Sequence, residues 1–205
     1  MRTAPIFASL VLFAALAACD TNPTKNSPKA TVSNPVAPAA AQPQDEGATT
    51  LTFSNEGSKI AFVGAKITAK HEGGFNKFTG TIKKSFVSVE IDTSSLFTDQ
   101  AKLTGHLKSA DFFDVEKFPT ASFVSTQIKE GVNRGSLSTI TGNLTLHGVT
   151  KSISFPASIH AIGNTVEADA EFGINRKDFG IVYAGKADDL IKDDVLIKLT
   201  IRAKK

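Results

Sequence analysis

The chain has 205 residues, 23 Lys and Arg against 20 Asp and Glu for a formal charge of +3, and 41% hydrophobic residues. Basic and acidic residues are interspersed and no helix-turn-helix pattern is present, which excludes the usual footprints of nucleic-acid binding. The single cysteine, Cys19, excludes a disulfide within the chain.

Met1-Arg2 supplies a short basic start, and residues 6–18 are apolar apart from Ser9. That run is shorter than the roughly 20 residues a bilayer-spanning helix needs. Small residues close it, as in an export signal. Leu16-Ala17-Ala18-Cys19 places the cysteine where a bacterial lipoprotein carries the residue it joins to lipid. Exported proteins usually pair their cysteines, and thioether formation accounts for a lone one; an ordinary secretory signal with a chance cysteine is the alternative. The expectation is a signal peptide over 1–18, acylation of Cys19 and a place on the periplasmic face of the bacterial cell envelope, with Asp20 favouring the inner membrane. Two acyl chains anchor stably where one binds only marginally.

Residues 19–48 carry Pro23, Pro28, Pro35, Pro38 and Pro43 among Asn, Ser, Thr, Gln and Ala, with Val32 and Val36 as the large apolar side chains. Such a stretch cannot bury enough surface to offset its ordering entropy. A disordered tether with some extended, proline-rich character is expected.

Residues 49–205 are long enough for one domain. Alternation of period two predicts strands over 60–69, 80–91 and 121–129. It continues at Leu144 and Leu146, at Ile153 and Phe155, and through Val166, Ala168, Ala170, Phe172 and Ile174. The last run has Val195, Ile197, Leu199 and Ile201 on one face. Gly64 and Lys83-Lys84 interrupt the early alternation and suggest bends or bulges. Residues 99–110 form the one helical segment, with Leu103 and Leu107 on one face. Turn signals stand at Glu72-Gly73-Gly74, Glu130-Gly131-Val132-Asn133, His147-Gly148, Gly163-Asn164 and Lys192-Asp193-Asp194. Short connections make the sheet antiparallel, and seven or eight strands must then close or form a sandwich to manage their edges. Both fit the periodicity. Of fifteen phenylalanines all but Phe7 and Phe13 fall in this domain, beside one tyrosine and no tryptophan. That pattern favours a tall barrel lining an apolar cavity.

Five segments in order resemble one family. Residues 70–80, Lys-His-Glu-Gly-Gly-Phe-Asn-Lys-Phe-Thr-Gly, resemble the His-x-x-Gly-x-Phe-x-x-Phe-x-Gly signature of the YceI-like, polyisoprenoid-binding proteins. Residues 103–114 are similar to their helix ending in Asp-Phe-Phe-Asp, and Lys117-Phe118-Pro119-Thr120-Ala121-Ser122-Phe123 continues the match. Residues 142–151 resemble the Gly-x-Leu-Thr-Leu-x-Gly-x-Thr-Lys hairpin, and 174–180 the Ile-x-Arg-x-x-Phe-Gly turn. The resemblance implies an all-β fold: an extended, lipocalin-like antiparallel barrel of about eight strands with a helical excursion. It implies binding of a long isoprenoid, quinone-like or fatty chain inside.

On that fold Phe118, Phe123, Phe155 and Phe172 are the leading inward-facing candidates for contact with an apolar tail. Phe75 and Phe78 flank a glycine-rich turn, as a lip or as a plug of the core. Val87 and Val89 offer another apolar wall, and Phe112, Phe113 and Phe179 complete the set. Phe112 and Phe113 are adjacent, so one can cap the barrel while the other holds the helix. For each of these, plain core packing is the competing role. His71, His106, Arg176 and Asp178 are candidate polar contacts at a mouth, where structural hydrogen bonds or a turn-locking salt bridge are the simpler roles.

Nothing points to catalysis. Cys19 is consumed by lipid, His71, His106, His147 and His160 lack short metal-ligand spacing, no serine has a nucleophile-elbow context, and Asp111 and Asp114 follow no catalytic arrangement. The expectation is a carrier or reservoir, not an enzyme, with no metal and no obligatory cofactor beyond a bound polyisoprenoid, quinone or fatty-chain lipid. Its partners are that lipid, the membrane through Cys19, and a second copy as a homodimer. A packed lipoprotein that serves structure or protein interaction without cargo is the rival reading.

Overall fold

The computed structural model describes residues 21–36, 49–83, 86–131 and 136–205. The signal segment, Cys19, Asp20, Pro38, Pro43, Lys84, Val132 and Asn133 lie outside the described residues.

A short strand β1 (Thr31–Ser33) precedes the domain. The next six strands run in three pairs, each pair one bent ribbon. They are β2 (Thr50–Ser54) with β3 (Lys59–Ala65), β4 (Lys70–Phe75) with β5 (Phe78–Lys83), and β6 (Phe86–Asp92) with β7 (Leu96–Thr98). Helix α1 (Ala101–Lys108) lies within the expected helical segment. Then come β8 (Thr120–Lys129), β9 (Ser138–Leu146), β10 (Val149–Ile162) and β11 (Thr165–Asn175). A small hairpin, β12 (Gly185–Lys186) and β13 (Asp189–Leu190), leads to β14 (Asp194–Lys204).

These strands form a closed, eight-sided antiparallel barrel, in which each side pairs with the next in chain order. β14 closes it. One edge of β14 pairs with β11 along its whole length, from Asn175↔Asp194 to Thr165↔Lys204, and the other with β3 from Leu196↔Val63 to Thr200↔Lys59. Closure pairs the edges that an open sheet would leave free, all but the near half of the β10–β11 seam, which is why alternating apolar strands of this number settle into a cylinder. The β9–β10 turn is the two-residue hairpin that the sequence marks at His147-Gly148. Both residues have positive φ, +51° and +72°, as a tight turn matching the strand twist requires.

The two ends differ. At the far end, where β5, β8 and β10 finish, Phe53, Phe78, Ile82, Ile201 and Ala203 form a packed cluster with Val87 against it. Phe53 lies directly on Gly80, where a Cβ would come within 2.1 Å of its ring. At the near end two of the connections are long: residues 99–119 with the helix, and 176–193 with the small hairpin. They stand around the opening and leave the interior behind them unfilled.

One expectation is corrected. Residues 21–36 are not a free tether but lie along the barrel wall. β10 pairs with β11 only from Ser158↔Asp169 to Ile162↔Thr165, so the near halves of both strands have open edges at this seam. β1 takes the edge of β10 through Thr31↔Ser154 to Ser33↔Ser152. On β11, Gly173 donates its N–H to Pro28 O at 2.8 Å and accepts from Ala30 N–H at 2.9 Å. The polar composition that rules out a core of its own does not rule out backbone pairing with an open strand edge.

Phe53→Ala, which empties the far-end cluster, is expected to lose about 3–5 kcal/mol of stability. Phe86→Ala, at an exposed site on the same end, is expected to change it by less than about 1 kcal/mol. Urea midpoints of the two variants check this.

Candidate functional site

The near half of the barrel encloses a cavity of about 630 Å³ that opens between 64–71, 100–113 and 181–192. That volume lies within the ~300–1,000 Å³ range of small-molecule pockets. Its wall is made by alternate residues of the strands, the inward set that period two creates. Val89 and Ile91 come from β6, Ala121 and Phe123 from β8, Leu144 and Leu146 from β9, Ile153 and Phe155 from β10, Phe172 and Ile174 from β11, and Val195, Ile197 and Leu199 from β14. None of the described far-end loop residues reaches it.

The aromatic side chains are grouped. Phe155 and Phe172 stack at 4.1 Å with their planes 15° apart, and Phe123 stands 5.8 Å from Phe155. Phe123 also lies against Gly142 of the neighbouring strand, where a Cβ would approach its ring to 2.4 Å. The glycine lets the ring lie along the wall. Nearer the mouth Phe62, Phe75 and Phe113 form a second group with centroids 5.9–6.5 Å apart. Phe112 turns the other way and joins His106 and Tyr183, at 5.0 and 5.2 Å. The adjacent phenylalanines thus serve opposite sides of the mouth.

Polar groups occur only toward the opening, at Lys66, His71, Gln100, Lys102, His106, Arg176, Lys186, Asp189 and Lys192. Each described anchor among them has a partner. His71 Nδ1 lies 3.2 Å from Asp99 Oδ1, tying β4 to the start of the helical connection. His106 Nε2 lies 2.9 Å from Asp111 Oδ2. Arg176 is buried and donates to Lys192 O, to Ile181 O and to Asp193 Oδ1, at 3.1, 2.6 and 3.1 Å. Burial lowers its pKa from the ordinary guanidinium value, opposed by the charge of Asp193. Arg176 therefore locks the 176–193 connection that forms one side of the mouth. Lys66 and Thr68 both donate to Asp189, which clamps the 66–69 turn to the small hairpin. The Lys66 hydrogen bond, followed by those from Thr68, holds the Asp189 carboxyl below its usual range.

Of the residues singled out from sequence, Phe75, Val89, Phe112, Phe113, Phe123, Phe155 and Phe172 line the cavity, with His71, His106 and Arg176 at its open end. Five do not. Phe78 is 2% exposed and, with Val87, belongs to the far-end filling. Phe118 lies on the β9–β10 turn, 4.7 Å from His147 and over Gly148. Phe179 is fully buried in the cluster with Ile140 and Ile174. Asp178 is exposed on the short turn that follows β11. Sequence reasoning missed Phe62, Leu144 and Tyr183 as wall residues. Leu144 carried a signal, since its alternation with Leu146 was visible; Tyr183 carried none, because it sits in an irregular connection. Leu103 and Leu107 line the cavity from the helix. Among the described residues no three His, Cys, Asp or Glu side chains stand together to hold a metal ion, and no helix is long and apolar enough to cross a membrane.

A family model described as a YceI-like domain matches residues 51–203. Proteins called UPF0312 are similar in sequence. One from Pseudomonas putida is 33% identical over 133 residues, 62% of this chain and 68% of the relative. One from Pseudomonas savastanoi pv. phaseolicola is 35% identical over 130 residues, 60% and 67% of the two. Two solved structures share the fold. BcnA of Burkholderia cenocepacia has a TM-score of 0.65 at 24% identity, covering 73% of this chain and 98% of its own. A polyisoprenoid binding domain from Saccharophagus degradans has a TM-score of 0.64 at 16% identity, covering 77% and 99%.

The depressed Asp189 pKa gives a pH signature. A carboxylate bound more tightly in the folded state contributes stability above its unfolded pKa of about 3.9, and loses it as pH falls through the lower folded value. Asp189→Asn is expected to melt below the unaltered protein at pH 7, and the two melting temperatures should converge as pH falls below about 4.

Proposed function

The chain belongs to the YceI-like domain family, and from that membership and the shape of its interior we propose that it binds, stores or transports a long-chain apolar lipid, such as a polyisoprenoid or a quinone tail. The observation that carries this reading is the apolar cavity open at one end of a closed barrel. A structural lipoprotein with a packed interior would have no such space. The polyisoprenoid binding of the Saccharophagus domain supports the class of cargo. The protein acts by binding, without catalysis: at the mouth Lys66, His71, His106 and Arg176 are each held by a protein partner and frame the opening.

The energetics suit a carrier. Taking a hydrocarbon out of water yields about 0.8 kcal/mol per buried CH₂. A lipid that starts in a bilayer already has that gain, so transfer into the barrel is decided by smaller terms. These are the fit of the tail against Phe123, Phe155 and Phe172, and hydrogen bonds that a headgroup makes at the mouth. Such a protein exchanges cargo with a membrane and does not trap it. Attachment through acylated Cys19 on the periplasmic face of the envelope, with Asp20 favouring the inner membrane, keeps the barrel at the surface where the cargo resides and raises its effective concentration there.

Purified natively and analysed by mass spectrometry, the protein is expected to release a long-chain apolar lipid. Recovery of the folded protein with no lipid, and no uptake from vesicles, would sink the proposal. Phe123→Trp, which enlarges a wall residue, is expected to reduce uptake of a long tail severalfold while the fold survives. Cys19→Ser should move the protein out of the membrane fraction without emptying the barrel. Fractionation followed by lipid analysis reads both effects.

A further inference from the structure

Of the exposed large apolar side chains among the described residues, Val36 and Phe97 stand apart on β1's continuation and on β7, and the other six form two groups, one at each end of the barrel. Phe86, Leu137 and Ile162 stand at the packed far end; Ile67, Val182 and Leu190 stand at the mouth, 48, 63 and 45% exposed. The three at the mouth share one rim. Ile67 N–H donates to Leu190 O at 3.1 Å. Leu190 stands between the cavity-lining Asp189 and Ile191, and Val182 between the cavity-lining Ile181 and Tyr183. Around them charge is mixed: Lys66 pairs with Asp189, and Lys102 and Lys186 stand near Asp99 and Asp188 in the same connections. Charge alone therefore selects no partner.

The path of the N-terminal segment does. Thr21 Oγ1 donates to Ile67 O at 3.3 Å, on that same rim. From there the chain is held to the wall. Thr24 is 3% exposed and sits on Gly173, whose Cβ would come within 2.7 Å of it. Ser27 Oγ donates to Glu171 at 2.7 Å, Lys29 pairs with Asp194, and β1 completes the seam. Leu196 and Val63 are buried on the same outer face as Gly173, register partners in line with it. Cys19 precedes Thr21 by two residues, so its reach from the rim is at most about 7 Å. A lipid on Cys19 must enter the bilayer beside the mouth, whereas a free tether over 20–48 would let any face approach.

We propose that the open end of the barrel is a membrane-docking face, with Ile67, Val182 and Leu190 inserted at the hydrocarbon boundary of a bilayer, and that residues 21–33 act as a strap fixing this orientation. It rests on the acylation of Cys19 and deepens the carrier reading: cargo passes between bilayer and cavity through a mouth pressed against the lipid, without crossing water. The far-end group has neither a cavity behind it nor the anchor beside it.

The test uses the full chain, purified with its anchor from bacterial membranes and placed in vesicles of phosphatidylethanolamine and phosphatidylglycerol. A nitrobenzoxadiazole probe is attached through Val182→Cys or, for comparison, Ile162→Cys; the native thiol is occupied by lipid. Emission at 182 is expected to shift to the blue and to be quenched by spin-labelled lipids about twofold or more beyond that at 162. Equal quenching at the two positions, or more at 162, overturns the docking face. Lys29→Glu, which sets the strap against Asp194 and leaves the barrel untouched, is expected to lower quenching at 182 by about half while the protein stays with the vesicles. Unchanged quenching overturns the strap's part. Cargo is measured in the same samples by mass spectrometry. Lipid inside with position 182 unquenched overturns docking alone, and quenching with an empty barrel overturns the carrier reading alone.

Discussion

Closure of β14 against β11 on one side and β3 on the other is the constraint from which the rest follows. It turns a meander of half-apolar strands into a cylinder with one inward face, and every residue on that face must then find something to meet. An eight-sided barrel is just wide enough to be filled by its own side chains or to hold a single ligand. This chain is filled by its own side chains at one end and hollow at the other. Phe53, Phe78, Ile82 and Ile201 meet across the far end, while Phe123, Phe155 and Phe172 line a space their partners do not fill. At the near end the helix and the small hairpin build an open rim.

The cylinder is not closed uniformly. β10 and β11 part halfway along, and the near half of that seam exposes backbone donors and acceptors beside the cavity wall. Unpaired edges invite other strands. Residues 28–33 meet that need from within the chain, with Ala30 and Val32 packing against the cluster that holds Phe155 and Phe172. A segment too polar to fold alone is well suited to this role, because backbone hydrogen bonds supply most of the attachment.

The mouth shows how a rim can be rigid and still permit entry. Arg176 is held by two carbonyls and Asp193, and Asp189 by Lys66 and Thr68, so the polar groups of 66–69 and 176–193 are engaged with each other. Polar groups satisfied in this way, the buried Arg176 above all, need no ligand headgroup to complete them. With these groups engaged, the apolar wall is the larger of the two surfaces a proposed cargo would meet.

The fold class was legible in the sequence because period-two alternation records which side chains face inward, and β14 shows it residue by residue from Val195 to Ile201. The helix and the His147-Gly148 turn were legible for equally local reasons. The wall residues Phe123, Phe155 and Phe172 could be named from strand parity, which depends only on counting. Depth within the barrel could not. Phe78 and Phe123 have the same parity signal, yet one fills the far end and the other lines the cavity, since position along the axis depends on strand stagger set by pairing. Phe118 and Phe179 lie in connections, where parity has no meaning. Nor could composition foretell that residues 21–36 would be ordered: their attachment comes from an open edge on strands more than a hundred residues away. Local chemistry in the chain determined an apolar-lined barrel, and the three-dimensional assembly alone decided where it is hollow and what frames its opening.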